Sequence, residues 1–414
     1  MGVIGLGYVG LPLSLEMAGS GLEVLGFEID SDKVNGINEG QSHVIDVSDQ
    51  ELDEVLDTGR FRATCEMHRI SECDAISICV PTPLSKSHEP DISYILSASK
   101  MVSESLRKGQ LIVLESTSYP GTTREAVLPV LEQTGLEIGK DFFLCFSPER
   151  VDPGNKNWDI KNTPKVIGGI TKDCLLAGRA VYERFVDDLV PVSSTEAAEL
   201  VKILENTFRA VNIAMVNEIA LIADRLAVDI WEVVDAASTK PFGFMRFTPG
   251  PGFGGHCIPV DPQYLAWKMR GLNYRTRFVE LASELNAEMP KFLVEKVRSS
   301  LESRGETLEG ANIMIIGVSY KKDVGDVRES PALHVIQELL SSDAKVEYHD
   351  PYVPELQLSE GLSLSSVTLT DEILSQSDAV VIVTDHSSLD YSRILDSSSI
   401  LVDARNATRF LSRD

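Results

Sequence analysis

A glycine-rich turn near the start of the chain most limits how the chain can fold. Residues 1–4 are apolar and lead into G-L-G-Y-V-G at residues 5–10, residues 11–20 have a helical pattern, and residues 23–27 form a second apolar run that ends at Glu28. Strand, G-x-G-x-x-G turn, helix, strand and acid in this order are typical of a βαβ unit that binds a dinucleotide. The sequence therefore predicts an α/β fold built on a doubly wound parallel sheet.

The turn supplies most of the predicted cofactor contacts. Glycines let the backbone approach a pyrophosphate at the N-terminus of the next helix, whose amides and dipole favour an anion. Glu28 would accept a hydrogen bond from a ribose 2′-hydroxyl and repel a 2′-phosphate, so NAD is favoured over NADP. Asp30 and Lys33 either flank the adenosine or are solvated charges at a helix start. The residues assigned to the turn itself are Gly5, Gly7, Tyr8, Val9 and Gly10.

The alternation of strands and helices continues to residue 192. Further strands are predicted at residues 75–80, 111–114, 142–146, 165–169 and 189–192, with a helix at 91–106. Polar segments follow three of these strands, namely Pro81-Thr82-Pro83, Glu115-Ser116-Thr117 and Ser147-Pro148-Glu149-Arg150. Ligands bind at the carboxyl edge of such sheets, so we expect these segments on one side of a nucleotide-binding domain over residues 1–192. Only four residues precede Gly5, against about five or six in an average strand, so we expect the natural chain to begin earlier.

A long helix opens the predicted central domain, residues 193–305. Residues 193–196, S-S-T-E, have the form of a capping box, and an apolar stripe follows to residue 222. Lys202, Asn206 and Arg209 share one stripe of this helix, either as functional groups or as an ordinary solvated stripe. Further helices are predicted over residues 262–301.

Between these helices lies G-P-G-F-G-G-H-C-I-P-V-D, residues 250–261. Four glycines and two prolines exclude regular helix or strand, and they leave Cys257 in an irregular loop with Asp261 four residues on. An accessible thiol beside flanking amides and a polar neighbour has the features of a covalent nucleophile, although a lone cysteine is commonly an inert small apolar residue. The six cysteines show no C-x-x-C or zinc-site spacing, which predicts reduced thiols, no metal and a cytoplasmic protein.

Strand and helix alternation restarts in the last domain, residues 306–414. Strands are predicted at residues 312–316, 345–349, 379–383 and 400–402, and Ser330-Pro331 has the favoured form of a helix start. Lys321, Lys322 and Arg328 follow the first of these strands and predict a second anion site, for another nucleotide. The fold class is thus two Rossmann-like doubly wound domains joined by a long helix and a helical domain.

The net charge of the chain limits the kinds of molecule that it can bind. The chain has 38 basic and 63 acidic side chains, for a net charge of −25, which argues against nucleic acid or an anionic membrane. No apolar run approaches the roughly 20 residues of a membrane helix.

A dinucleotide domain, a second nucleotide domain and a loop thiol suggest a particular oxidation. Converting an alcohol to an aldehyde needs no cysteine. Converting the aldehyde to an acid needs a covalent hemithioacetal, so that a thioester remains for water after the second oxidation. Cys257 therefore predicts a four-electron oxidation. A two-electron hydroxyacid or 6-phosphogluconate-type dehydrogenase, and an inactive protein that binds NAD or a nucleotide sugar, are the alternatives.

Six motifs, in order, resemble those of the nucleotide-sugar 6-dehydrogenase family, which includes UDP-glucose, UDP-N-acetylhexosamine and GDP-mannose dehydrogenases. They are G-L-G-Y-V-G-L-P, E-S-T, S-P-E-R, A-E-L-V-K-I-L-E-N, G-F-G-G-H-C-I-P-V-D and Y-K-K-D-V-G-D-V-R-E-S-P. The resemblance covers essentially the whole chain. It implies NAD-dependent oxidation of a sugar 6-hydroxymethyl group to a carboxylate with two NAD per turnover, in a homodimer or larger homo-oligomer whose interface is the connector helix.

The resemblance also implies residue roles. Cys257 would carry the thiohemiacetal and thioester, Lys202 and Asn206 would stabilise the oxyanion, and Asp261, Glu149 and Thr117 would hold and activate water. Cofactor contacts would add Pro81, Thr82, Thr117 and Arg328, with Glu115 nearby. Substrate contacts would be Glu149, Arg150, Lys202, Asn206, Phe253, Gly254, Lys321 and Arg405.

Within the family, three segments look like the UDP-N-acetylglucosamine 6-dehydrogenases: S-P-E-R-V-D-P-G-N, K-P-F-G-F-M and P-G-P-G-F-G-G-H-C-I-P-V-D-P. UDP-N-acetylmannosamine and UDP-glucose dehydrogenases are the alternatives. Some relatives place an arginine before the cysteine loop that reaches across a dimer. Phe242 falls near that position here, and Arg246 is a possible substitute.

Overall fold

The computed structural model describes residues 1–44, 47–85, 89–151, 155, 157–358 and 361–411. Two compact units make up this structure. The N-terminal unit comprises Met1–Glu205 and Gln263–Tyr274, and the C-terminal unit comprises Asn206–Pro262 and Arg275–Asp414. The separate central domain expected from the sequence stays a prediction.

An eight-stranded sheet forms the centre of the N-terminal unit. Its strands are β1 (Gly2–Ile4), β2 (Val24–Phe27), β3 (Phe61–Thr64), β4 (Ala75–Ile78), β5 (Leu111–Leu114), β6 (Phe143–Phe146), β7 (Lys165–Gly169) and β8 (Leu189–Val192). Their order across the sheet is β3-β2-β1-β4-β5-β6-β7-β8. The helices of the unit are α1 (Gly10–Gly19), α2 (Ser31–Asn38), α3 (Asp49–Asp57), α4 (Ser93–Ser105), α5 (Leu128–Glu132) and α6 (Lys172–Tyr182). Short 3-10 and π-helical turns at Met67–Glu72 and Thr123–Val127 complete it.

Both faces of this sheet are buried, as a doubly wound fold requires. β4 and β5 are buried at every position, which explains why they are continuous apolar runs in the sequence. Helices α1, α2, α3 and α6 contribute to the hydrophobic core on one face, and α4 and α5 to the core on the other. Each side chain of the size of Leu or Ile that is buried in such a core stabilises the fold by roughly 1.5–3 kcal/mol.

One strand runs against the rest. β7 pairs antiparallel with β6, while every other neighbouring pair in the sheet is parallel. The predicted doubly wound α/β class is confirmed, but the sheet is not wholly parallel, and the edge strand β3 is an addition to the strands expected from the sequence. Because β7 is reversed, its first residue lies at the edge where β5 and β6 end.

The long helix α7 (Thr195–Arg225) begins at the expected place with a different cap. The amide of Ala197 donates to Ser194 Oγ, so Ser194 provides the cap instead of Ser193. The capping box expected at residues 193–196 is therefore wrong, because the Glu196 carboxylate accepts from Arg124. A complete capping box is found at Ser48 and Glu51 instead.

A four-stranded parallel sheet forms the centre of the C-terminal unit. Its strands are β9 (Asn312–Ile316), β10 (Lys345–His349), β13 (Ala379–Ile382) and β14 (Leu401–Asp403), in the order β10-β9-β13-β14, with a separate antiparallel pair β11 (Glu355–Gln357) and β12 (Ser363–Ser365). The other helices that follow α7 are α8 (Ile230–Ser238), α9 (Asp261–Gly271), α10 (Arg277–Glu302), α11 (Pro331–Ser341), α12 (Asp371–Gln376) and α13 (Tyr391–Ser397). All of α9 except its first two residues belongs to the N-terminal unit. Helices α10 and α11 pack on one face of the sheet, and α12 and α13 pack on the other. Ser330 caps α11 and Pro331 is its first residue, as expected.

Among the described residues, none of the helices is both long enough and apolar enough to cross a membrane. Within the same ranges, no three or more His, Cys, Asp or Glu side chains gather in a way that could hold a metal ion.

Candidate active site

The glycines of the first turn have different surroundings. Gly5 has φ +88°, and a Cβ placed on it would lie 2.5 Å from the Cys79 carbonyl oxygen. A Cβ on Gly10 would collide with the Gly5 carbonyl oxygen, so both glycines are required by the turn itself. Gly7 has nothing within 4 Å of its Cβ position. The turn therefore leaves open space at Gly7, just before α1 begins, which fits the pyrophosphate of a dinucleotide.

Glu28 lies at the end of β2, facing this turn. Its carboxylate accepts from the amides of Leu6 at 3.1 Å and Ile29 at 2.9 Å. Charged acceptors held by backbone amides are well placed to take a ribose hydroxyl. Asp30 caps α2 by accepting from the Asp32 and Lys33 amides. Asp30 thus has a structural role, and the cofactor contacts of Asp30 and of the exposed Lys33 stay predictions.

The loops after β4 and β5 are tied to each other. Ser116 Oγ donates to the carbonyl oxygen of Val80 at 2.8 Å and accepts from its amide at 2.9 Å. The hydroxyl of Tyr264 donates to the carbonyl oxygen of Thr82. These bonds hold Pro81, which is exposed, and Thr117, which is half-buried, at the carboxyl edge of the sheet. The sequence correctly predicted that these segments share an edge.

Glu149 follows β6 at the same edge. Its Oε1 accepts from the amides of Arg150 at 2.6 Å and Val151 at 2.7 Å. Its Oε2 accepts from Lys165 Nζ at 3.2 Å. Burial alone would raise the pKa of Glu149, but Lys165, the Val151 amide and Lys202 hold the pKa of this carboxyl below its usual value. Residues 152–154, part of the motif that begins at Ser147, lie outside the described residues.

Lys165 is the first residue of β7 and lies between two carboxylates. Its Nζ is 2.8 Å from Glu115 Oε2, and only 4% of the Lys165 side chain is exposed. Tyr182 donates its hydroxyl to the other oxygen of Glu115. Burial would lower the pKa of Lys165, but Glu115 and Glu149 raise it, so Lys165 stays charged. Burial raises the pKa of Glu115, which is 1% exposed.

Arg150 makes structural contacts in the N-terminal unit. Its guanidinium donates to both carboxylate oxygens of Glu205, at 2.6 and 3.3 Å, and to the carbonyl oxygen of Pro164 at 2.5 Å. A small cavity beside it is lined by residues that include Glu149, Thr163 and Lys165. The Glu149 side chain therefore borders a small cavity in addition to its hydrogen-bond partners.

The predicted nucleophile lies in the C-terminal unit. Cys257 is half-buried, and its carbonyl oxygen accepts from the amides of Val260 at 3.2 Å and Asp261 at 2.8 Å. This turn leads into α9, whose first residue is Asp261. The side chain of Asn206 donates to Asp261 Oδ2 at 2.6 Å. The fold thus brings together three of the predicted catalytic residues, Cys257, Asp261 and Asn206.

The cysteine loop packs on the segment that follows β9. The amide of Gly255 donates to the carbonyl oxygen of Arg328 at 3.1 Å. A Cβ on Gly254 would lie 2.6 Å from the Glu329 carbonyl oxygen, and one on Gly255 would lie 2.7 Å from the Tyr320 ring. These glycines therefore allow the close approach of two loops that carry predicted site residues. Phe253 precedes them and is half-buried.

A buried Asp–His pair holds the segment that carries Lys321. Asp350 Oδ2 accepts from the amides of Val318 at 2.7 Å and Ser319 at 3.2 Å, and from His386 Nε2 at 2.9 Å. His386 Nδ1 accepts from the amide of Asp323 at 3.0 Å. These partners require the proton of a neutral ring to be on Nε2. Lys321, between the two tethered points, is half-buried.

Several predicted cations are paired within the C-terminal unit. Arg328 makes a bidentate contact with Asp326, which has its pKa held below the usual value despite burial. Arg405 donates to Asp385 at 3.2 Å, and its guanidinium is 2.9 Å from the Cβ position of Gly250. Arg246, the possible cross-dimer substitute, pairs with Asp235 of its own chain.

Sequence reasoning missed Lys165, Asp350 and His386. Asp350 had a usable signal in the sequence, because it directly follows β10 as Glu28 directly follows β2. Both carboxylates accept from a backbone amide in the loop after the preceding strand, β1 for Glu28 and β9 for Asp350. Lys165 had none, because a charge at the start of a strand usually faces solvent.

Comparison with known proteins gives matches along nearly the whole chain. Residues 1–186 match the NAD binding domain of the UDP-glucose/GDP-mannose dehydrogenase family, residues 196–288 match its central domain, and residues 314–410 match its UDP binding domain.

Individual relatives match over nearly the same extent. A UDP-N-acetyl-D-mannosamine dehydrogenase from Pyrococcus horikoshii is 35% identical over 98% of this chain and 94% of its own length. A UDP-N-acetyl-D-glucosamine 6-dehydrogenase from Salmonella typhi is 33% identical over 93% of this chain and 89% of its own. The solved structure of the UDP-D-ManNAc dehydrogenase from Pyrococcus horikoshii superposes with a TM-score of 0.89 at 34% identity, and covers 98% of this chain and 96% of that one.

Proposed function

Because the chain belongs to the UDP-glucose/GDP-mannose dehydrogenase family and is an NAD-dependent UDP-sugar dehydrogenase, we propose that it oxidises the C6 hydroxymethyl group of a UDP-N-acetylhexosamine to a carboxylate. The proposed substrate is UDP-N-acetyl-D-glucosamine. Each turnover would consume one water and two NAD and release UDP-N-acetylglucosamine uronate.

The hydrogen bond from Asn206 to Asp261, one turn away from Cys257, carries this proposal. An amide donor, a carboxylate and a half-buried thiol held together provide what a covalent oxidation of an aldehyde needs. A two-electron dehydrogenase would have no use for the thiol.

In the proposed mechanism Cys257 adds through its sulfur to the C6 aldehyde, and the thiohemiacetal becomes a thioester when it is oxidised. Lys202 and Asn206 donate hydrogen bonds to the C6 oxygen as it gains negative charge. One such donor contributes about 3 kcal/mol to transition-state stabilisation. NAD, when bound, would accept one hydride, that is, a proton and two electrons, in each of the two oxidations.

Hydrolysis of the thioester then needs an activated water. We assign Glu149 as the base that takes a proton from water. Thr117 and Asp261 would help to hold and activate this water. Glu149 is suited to this role because two amides and Lys165 hold it as a carboxylate. Attack of the water oxygen at C6 breaks the C–S bond, releases the uronate and leaves Cys257 as a thiol.

The remaining site residues are assigned to binding. NAD would contact the first turn and Glu28, together with Pro81, Thr82, Thr117 and Arg328. The proposed substrate contacts are Glu149, Arg150, Lys202, Asn206, Phe253, Gly254, Lys321 and Arg405. Lys321 is suited to a diphosphate because two hydrogen-bonded anchors hold its loop.

UDP-N-acetyl-D-mannosamine is the second candidate substrate. It differs from UDP-N-acetylglucosamine in configuration at C2 alone, so the chemistry at C6 would be the same. The extent of similarity to the relative from Pyrococcus horikoshii favours it.

We also propose that the protein forms a homodimer or a larger homo-oligomer through α7. Large apolar side chains on this helix are exposed by 41–64%, among them Leu204, Phe208, Met215, Ile219 and Ile222. An apolar stripe of this kind is typical of an interface. The occupant we propose is a second copy of the same chain.

A substrate panel tests the proposed reaction. NADH formation is followed with UDP-N-acetylglucosamine, UDP-N-acetylmannosamine and UDP-glucose. We expect the first to be turned over with two NADH per uronate, whereas turnover of UDP-glucose alone would contradict the proposal.

Cys257→Ser tests the covalent step. The serine hydroxyl is a poorer nucleophile, and an ester would replace the thioester, so we expect uronate formation to fall by on the order of 10³ or more. Cys65→Ser, at an exposed cysteine, is the matched control. Steady uronate production by Cys257→Ser would exclude the covalent mechanism.

A further inference from the structure

We infer that Lys165 is a positioning residue for the reaction: it holds Glu149 in place as a carboxylate, so that Glu149 can take the proton from the hydrolytic water. This inference rests on the proposed function, in which Glu149 is the base. It adds a residue outside the set predicted from the sequence.

The contacts of Lys165 are unusual for a lysine. Its Nζ lies 2.8 Å from Glu115 Oε2 and 3.2 Å from Glu149 Oε2, and the side chain is almost fully enclosed. A buried ammonium is tolerated only where carboxylates or other acceptors compensate it. The two carboxylates therefore fix the ammonium group of Lys165 between Glu115 and Glu149.

The reversed strand β7 explains how Lys165 reaches this edge. In the antiparallel register, Cys145 pairs with Gly169 and Phe146 pairs with Gly168. Extending this register toward the end of β6 places Glu149 opposite Lys165. A parallel β7 would start at the opposite edge of the sheet, away from Glu149.

The two carboxylates differ in their surroundings. Glu115 is completely enclosed, and its second oxygen accepts from Tyr182, whose hydroxyl is also 3.2 Å from Ser77 Oγ. Glu149 keeps 15% of its side chain exposed and borders the small cavity. Glu149 is therefore the carboxylate that water can reach. Glu115, which accepts from Tyr182, binds the Lys165 ammonium on its enclosed side.

Charge balance gives the functional consequence. One ammonium faces two carboxylates in a region of low dielectric. Without the ammonium the two negative charges would repel each other, and the fully enclosed Glu115 would take up a proton first. Glu149 would lose the positive charge that favours its carboxylate form, so the pKa of Glu149 would rise. A protonated Glu149 cannot act as the base.

Lys165→Met tests this directly, because it keeps the length and removes the charge. We expect the acid limb of the kcat against pH profile to move up by about one pH unit or more, so that kcat falls roughly ten-fold at pH values on that limb and little on the plateau. Rapid mixing should still give a burst of two NADH per active site, since both oxidations precede hydrolysis. Lys140→Met is the matched control at an exposed lysine that pairs with Glu137, and it should keep the wild-type profile. A Lys165→Met profile with an unmoved acid limb would overturn the inference.

Glu115→Gln provides an independent test that does not depend on the stability of Lys165→Met. It removes the competing carboxylate and leaves Lys165 to Glu149 alone, so the acid limb should move to lower pH. The amide side chain that this substitution introduces can still accept a hydrogen bond from Tyr182. A limb that stays in place or moves up would contradict the inference.

Glu149→Gln separates failure of this inference from failure of the proposed function. If this variant hydrolyses the thioester at the wild-type rate, then Glu149 is not the base and the proposed function is wrong at that step. If Glu149→Gln stalls after the burst while Lys165→Met keeps the wild-type acid limb, the inference alone is overturned.

Discussion

At the scale of single residues, Gly5 and Gly7 belong to one motif but serve different purposes. Gly5 has positive φ, and the Cys79 carbonyl oxygen is 2.5 Å from its Cβ position, so any other residue there would strain the turn. Gly7 has open space, so it leaves room for a ligand. The same letter in a sequence motif thus reflects a constraint of the fold at one position and of binding at the other.

Alanine substitutions should separate these purposes. We expect Gly5→Ala to cost about 1–3 kcal/mol of stability, because it adds strain and a steric clash. Gly7→Ala should keep the wild-type midpoint of thermal unfolding but raise the KM for NAD on the order of ten-fold. Thermal unfolding and NAD titration of both variants check this. Equal unfolding midpoints for the two variants would contradict the argument.

At the scale of secondary structure elements, α7 is anchored in the N-terminal unit by a buried carboxylate. Glu199 is 1% exposed, and it accepts from the amides of Gly121 at 2.5 Å and Thr123 at 2.9 Å and from the Thr123 hydroxyl at 2.7 Å. Burial raises the pKa of Glu199 to about 7, although these three hydrogen bonds act against the rise. The element α7 is thereby linked to the π-helical turn at Thr123–Val127.

This carboxylate should make stability depend on pH. The pKa of Glu199 in the folded protein, about 7, lies above its ordinary value of 4.5, so the folded state binds more protons between these limits. The contribution of Glu199 to stability should therefore fall by roughly 3 kcal/mol as pH rises from 4.5 to 7, and stay level above that.

Denaturant unfolding of wild type and Glu199→Gln at pH 5 and pH 8 measures this contribution. The stability difference between them should shrink toward pH 8. Glu196→Gln, at the neighbouring carboxylate with a lowered pKa, should show no such decline. A wild-type advantage over Glu199→Gln that is equal at both pH values would exclude the linkage.

At the scale of the whole molecule, much of the fold could be predicted because buried strands leave a clear signal. β5, β7, β8, β9 and β10 have the bounds expected from the sequence. The direction of β7 could not be predicted, because a run of apolar residues reads the same in parallel and antiparallel pairing. β3 was missed because Arg62 interrupts a four-residue run at the sheet edge.

The candidate site was predicted unevenly for a related reason. Gly5, Glu28 and Cys257 stand in local motifs, so neighbours in sequence reveal them. The partners of Lys165 and His386 lie at least 16 and 36 positions away in the sequence, so no local pattern reveals these contacts. α3 was missed even though its capping box, Ser48 to Glu51, was readable in the sequence.

Assembly is the prediction that belongs to the intact protein. Met215→Asp with Ile219→Asp places two charges on the apolar stripe of α7, and we expect sedimentation velocity to show monomers where the wild type forms dimers or larger species. Asp229→Asn, at the exposed cap of α8, is the control that should leave the assembly unchanged. A wild type that sediments as a monomer would rule out the proposed interface.

The pairing of β7 with β6 should restrict how many residues can be inserted into β7 among homologues. Successive side chains of a strand point to opposite faces, so one extra residue within 166–169 would turn the lysine at the head of β7 to the wrong side of the sheet, whereas two would restore it. The stretch before the strand, residues 157–164, is not part of a strand and sets no such alternation. Length changes should therefore be far more frequent among homologues before position 165 than within the few residues after it.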